Sequence, residues 1–196
     1  MAGAVLANAF QDDPFWIRLL EGESKAKMDR VVGACYESST RYCLRYGEVY
    51  APSEHLEGIV AWVSGDLADV TIWRQVRSGA FIAGSKAMIL LGRKTRTMMR
   101  VLEPAQPARK ANMKGRAFIY IQILGVASEL QGQGLGGKLL GALVEESEQT
   151  GVPLYTETTL GEAVGVYERF GFSILNQITL PVYDLPMWEL LREPVT

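Results

Sequence analysis

The stretch Phe118–Phe172, FIYIQILGVASELQGQGLGGKLLGALVEESEQTGVPLYTETTLGEAVGVYERFGF, decides the fold. It opens on a run from Phe118 to Val126 that is nearly all β-branched or aromatic, which predicts a strand covered on both faces. The turn Gln131–Gly137 follows. Helical spacing then starts at once, with Leu135, Leu139, Leu140, Leu143 and Val144 near one face. Gly151 and Pro153 stop that helix. A second strand, Leu154–Thr158, leads to a short helix that carries Tyr167.

A glycine-rich turn that opens a helix suits an anion. The first helical N–H groups have no partners within the helix, and the helix dipole favours negative charge there. Without Cβ atoms at Gly132, Gly134 and Gly136, phosphate oxygens can approach the backbone. A magnesium-nucleotide loop fits poorly, because Gly137-Lys138 is followed by Leu139 where Ser or Thr would hold the metal. Gly132, Gly134 and Gly137 match the dinucleotide spacing, but Ala127–Leu130 separate them from the strand that should lead directly into them. The pattern that fits in context is Q/R-x-x-G-x-G/A, at Gln131, Gly134 and Gly136.

That pattern, preceded by Leu124-Gly125-Val126 and followed by the YERFGF run ending at Phe172, resembles the GNAT superfamily of acetyl-CoA-dependent N-acetyltransferases. The resemblance is specific from Tyr120 to Phe172. Asp12-Asp13-Pro14, a helical insert before the central strand, and Glu157-Thr158 are similar to the branch that includes puromycin-type acetyltransferases. The resemblance implies an α+β fold of three layers (α/β/α), with a mixed, mostly antiparallel central sheet flanked by helices. It implies one domain over residues 1–196 with a helical insert at about 67–102. Family members begin with a strand before the first helix; none is legible here, so the sheet lacks it or another segment replaces it.

Composition agrees with a soluble globular class: 48% of residues are hydrophobic and 21% charged. A net charge of −2 gives no reason to expect nucleic acid as the main partner. No apolar run is long enough for a membrane span and no leader is legible, so the expectation is a cytoplasmic protein without stable membrane association, monomeric or homodimeric. Cys35 and Cys43 fall in one predicted helix, too far apart for a disulfide. The only histidine, His55, sits in a turn with no motif partner, which argues against a metal centre and against a nucleophilic triad.

In chain order, residues 1–10 read as the end of a helix, Phe15–Leu20 as a short one and Ser24–Arg45 as a long one. Glu48–Ala51 and Gly58–Val63 form a hairpin. Val70–Leu102 reads as two helices broken near Gly84-Ser85, Glu103–Gly115 as a loop, and Phe172–Pro181 with Leu185–Leu191 as closing strands. The middle third is basic. That charge is a solvated face, a steering field for an anionic coenzyme, or a contact for a membrane surface or nucleic acid.

Acetyl transfer from a thioester to an amine needs a held coenzyme, a polarised carbonyl, a neutral amine and a proton for the departing thiolate. The resemblance implies that Leu124, Gly125 and Val126 pair with the pantetheine arm. It places the pyrophosphate on Gln131, Gly132, Gln133, Gly134, Leu135, Gly136 and Gly137. The two central strands should splay to admit the arm, often at a bulge. Tyr167 holds the family's general-acid position, and Glu157 is the candidate base. Gln122 would bind acceptor or water. Asp13 would attract a cationic amine or serve as a cap, and Trp16 would line the acceptor pocket or pack in the core. Leu160 stands where many relatives carry an asparagine. The implied reaction moves an acetyl group from acetyl-CoA to a small-molecule amine without metal. Acetylation of proteins and a non-catalytic acyl-CoA sensor are the alternatives.

Overall fold

The computed structural model describes residues 2–195. Its centre is the predicted apolar strand, β3 (Ile119–Val126), in a six-stranded sheet. The other strands are β1 (Gly47–Tyr50), β2 (Gly58–Ser64), β4 (Leu154–Thr158), β5 (Ser173–Leu180) and β6 (Leu185–Arg192), in the order β1-β2-β3-β4-β6-β5. Only β3 and β4 run parallel, because the helix α8 (Leu135–Thr150) carries the chain back between them. The remaining pairs are antiparallel. Among the described residues no strand precedes the first helix, and β1 and β5 are the sheet's two edges.

Helices cover both faces, giving the three layers expected. On one face, Leu139, Leu140 and Leu143 of α8 and Val164 and Tyr167 of α9 (Gly161–Arg169) pack on Ile119, Ile121, Leu154 and Leu190. On the other lie α1 (Ala2–Ala9) and α3 (Lys25–Tyr46), whose Leu6, Tyr42 and Cys43 pack on Ile59, Ala61, Val63 and Ile123. The short α2 (Pro14–Leu19) is capped by Asp13, which accepts from the Phe15 amide at 2.8 Å. It packs with the β5–β6 turn in a third cluster.

The segment between β2 and β3 differs from its sequence reading. Instead of two helices and a loop it forms four helices: α4 (Ile72–Ser78), α5 (Ala80–Leu91), α6 (Lys94–Leu102) and α7 (Ala105–Asn112). The breaks fall at Gly79, which is left-handed at φ 72°, and at Gly92. Gly84, the expected break, stays helical, and its bare Cα lets Ser38 of α3 approach closely. Pro107 does not prevent α7, since it sits in the first turn where its missing N–H breaks no bond. Cys35 and Cys43 are both free thiols in α3.

Candidate active site

The site starts from a fault in the sheet. Ala61 of β2 faces Ile123 and the next residue, Trp62, faces Ile121, so Gln122 is an extra residue in β3. Such a bulge bends its strand. On the other side, β3 pairs with β4 only through Ile119–Leu154, Tyr120–Tyr155 and Ile121–Thr156. The ladder therefore stops at the bulge. From Ile123 to Val126, β3 stays bonded to β2 while its edge toward β4 is open.

Tyr167 lies beneath the last rung. It is buried on α9, edge-on to Phe172 at a centroid distance of 5.2 Å. Burial pushes its hydroxyl up to about 12, with Thr156 of that rung partly offsetting. The phenol therefore keeps its proton at neutral pH.

At the far end of β3 the turn delivers the N-terminus of α8. Gly132 and Gly134 take φ values of 77° and 81°, and nothing lies within 4 Å of where their Cβ atoms would be. No side chain caps α8, so its first amides are free for an anion. Gly137 is small for another reason: a Cβ there would meet Phe170 at 3.2 Å. Gln131 points inward, donating to the Val126 carbonyl at 3.0 Å and the Ala9 carbonyl at 3.3 Å, which ties the turn to β3 and α1. Gln133 donates to the Glu129 carbonyl at 3.3 Å. Asn8, which no sequence pattern singles out, accepts from the Ser128 amide.

Residues 10–16 cross the mouth of the splay. Phe10 abuts Gly125 of β3, where a Cβ would meet its ring at 2.9 Å. Asp13 accepts from Thr159, just past β4, at 3.3 Å. Between them Phe10 stacks on Tyr36 at 4.4 Å, and Trp16 donates to the Tyr36 hydroxyl at 3.4 Å. Burial raises the Asp13 carboxyl above its ordinary range, against the Phe15 amide and the Thr159 hydroxyl. Trp16 is buried and packs in the core with Phe15 and Leu19, with Phe10 and Tyr36 against that cluster and Asp13 beside it. Leu160 leaves α9 without a side-chain cap, and its amide donates to the Thr158 hydroxyl instead.

Glu157 occupies the α3 side of the splay, in a network only partly legible beforehand. Arg109 of α7 donates to it at 3.0 Å, Tyr120 at 3.1 Å and Tyr155 at 3.2 Å. Arg109 also pairs with Asp69 at 3.1 Å and lies 4.6 Å from the centre of the Tyr120 ring. Tyr155 bridges to Glu189, which accepts from Asn112 and Asn176 at 2.8 Å each. Burial raises the Glu157 pKa, and Arg109 opposes that rise. Gln122 faces the same side, with its side-chain oxygen accepting from the Cys43 thiol at 3.0 Å. Tyr155 and Glu157 stand two apart on β4, so their shared face was readable from the strand period. Glu189, a lone carboxylate in an apolar strand, is itself a sequence signal of a buried polar network. Arg109 lies in the segment whose prolines predict a loop and which instead forms α7.

Among the described residues, no cluster of His, Cys, Asp and Glu side chains could hold a metal ion. No described helix is long and apolar enough to cross a membrane.

Residues 101–174 match the family model for the acetyltransferase (GNAT) domain. An uncharacterized N-acetyltransferase of Schizosaccharomyces pombe is 26% identical over an alignment spanning 100% of this chain and 79% of that protein. An acetyltransferase of Agrobacterium fabrum is 34% identical over 64 residues, covering 32% of this chain and 47% of the relative. In structure, histone acetyltransferase HPA2 and related acetyltransferase from Corynebacterium glutamicum aligns over 100% of this chain and 90% of its own at a TM-score of 0.59. At 17% identity, that likeness speaks for the fold alone. The family match covers the elements that build the splay, the amide turn and the Tyr167 helix, and over those residues the chain is similar to the GNAT acetyltransferase domain.

Proposed function

We propose that the chain transfers the acetyl group of acetyl-CoA to the primary amine of a small molecule by direct attack. One observation carries the reading: the β3–β4 ladder ends at Ile121–Thr156, directly over the buried, protonated Tyr167. Acetyl-CoA, when bound, would supply the thioester carbonyl. The open edge at Leu124, Gly125 and Val126 would hold the pantetheine arm by backbone pairing, as an added strand. The turn from Gln131 to Gly137 would take the pyrophosphate. Its contacts would come from backbone amides, since the Gln131 and Gln133 side chains are bonded within the protein.

Asp13 would receive the amine by charge, with the Phe10, Tyr36 and Trp16 rings packed behind it. Glu157, its pKa raised by burial, would accept the amine proton, and Gln122 would contact the acceptor from the bulge. As the new C–N bond forms and the C–S bond breaks, Tyr167 would give its proton to the departing sulfur. The segment laid across the mouth by residues 10–16 encloses the acceptor side, which favours a small amine over a polypeptide.

Calorimetric titration with acetyl-CoA and with free coenzyme A tests the first half. Thiol release across a panel of small amines and peptides tests the second. Micromolar coenzyme binding with turnover of small amines is the expected result. Absence of coenzyme binding would remove the reading, and turnover of peptides alone would move the acceptor to proteins.

A further inference from the structure

We propose that the outer face of α4 and α5 is a peripheral docking surface for an anionic lipid bilayer. The helix α5 is apolar on both sides. Its inner face, Ala80, Ala83, Ala87 and Leu91, is buried. Its outer face carries Ile82 and Ile89, 76% and 80% exposed, with Phe81 and Met88 beside them. Two turns separate Ile82 from Ile89, so both lie on one stripe. They line a shallow groove with Phe81, Arg30 and Lys86, which brings cations and apolar side chains onto one surface. The neighbouring α4 adds exposed Ile72 and Trp73, with the Arg77 guanidinium 5.7 Å from the Trp73 ring centre.

Charge identifies the occupant. Residues 70–116 hold eleven Lys or Arg and one acidic residue, Glu103, while the whole chain is net negative. Arg109, Lys110 and Arg116 are paired with carboxylates elsewhere, but Arg30, Lys86 and Arg77 stand among the apolar groups themselves and make that face complementary to an anionic layer. A second copy docked face to face would oppose like charges. A nucleic acid would satisfy the cations but leave Ile82 and Ile89 without an apolar partner. An anionic bilayer offers both, since apolar side chains enter the acyl boundary while Lys and Arg meet headgroups, and Trp favours that interface. No spanning helix is needed: the contact is reversible and lies in the interface plane.

The test is co-sedimentation with phosphatidylcholine vesicles prepared with and without phosphatidylglycerol, at low and high salt. Binding is expected only with phosphatidylglycerol, weakening as salt rises, with a blue shift of tryptophan emission that Trp73→Phe abolishes while still binding. Lys86→Ala should weaken binding about fivefold. Ile82→Glu/Ile89→Glu should eliminate it while leaving coenzyme affinity unchanged, and Ile89→Glu alone serves if the double variant does not fold. The proposal is overturned if anionic vesicles do not retain the protein. It is equally overturned if the glutamate variants, folded by circular dichroism, bind as wild type, which would mean adsorption by charge alone. A dimer by light scattering that Ile89→Glu dissociates, without vesicle binding, would instead assign the face to a second copy.

Discussion

Arg109 donates to Glu157 at 3.0 Å with both side chains about nine-tenths buried, so a helix of the insert neutralises a carboxylate on the central sheet. Removing one partner of a buried pair leaves the other charge stranded, which typically costs about 3–5 kcal/mol. Arg109→Met should destabilise by that order in urea unfolding. The pH dependence has a definite sign. The folded pKa of Glu157 is already above its unfolded value because of burial, and losing Arg109 would raise it further. The stability gained by protonation is therefore present below the unfolded pKa and lost as pH rises through the folded one. The variant's deficit should be larger at about pH 8 than at about pH 5.

Tyr167→Phe removes one hydroxyl from a packed ring. Coenzyme affinity should hold by calorimetry, while turnover should fall by about 10²–10⁴-fold, the range for a general acid. Turnover at the wild-type rate would assign the proton to another donor.

Gly134 separates backbone strain from ligand exclusion. With φ at 81° and open space around it, Gly134→Ala should cost about 1 kcal/mol of stability from the left-handed backbone. Gly134→Glu should add bulk and negative charge where phosphate is proposed to bind and abolish coenzyme binding. Unchanged affinity in the glutamate variant would remove the phosphate turn from the mechanism.

Asp13 is both a cap and a charge. Asp13→Ala should lose about 1 kcal/mol through the α2 cap, whereas Asp13→Asn keeps a capping oxygen. If the carboxylate holds a cationic amine, the asparagine variant should melt like wild type yet show a raised KM for the acceptor. An unchanged KM would leave Asp13 as a cap alone.

Cys35 and Cys43 give a check on the packing. Burial pushes both thiols up to about 12, so neither should react appreciably with a disulfide reagent at neutral pH until the protein unfolds. Rapid labelling of the folded protein would mean that α3 opens.

Local physics made part of this fold legible in one dimension. The alternation and length of apolar runs set β3, β4 and the closing hairpin to within a residue or two, and glycines at the turn marked the start of α8. The place of Tyr167 on a short helix after β4 was readable because a six-residue run carried it. The insert was not, because its breaks depend on which glycine turns left-handed and which merely admits a neighbour. Gly79 and Gly84 look alike in one dimension and differ only once α3 packs against them. Tertiary structure alone decided the rest. The bulge at Gln122 follows from how β2 and β3 align, and the end of the β3–β4 ladder lies beside it. The meeting of Arg109 with Glu157 spans 48 positions and depends on α7 folding down onto the sheet. Burying a carboxylate demands a charged or hydrogen-bonding partner, but chain order does not say from where it will come.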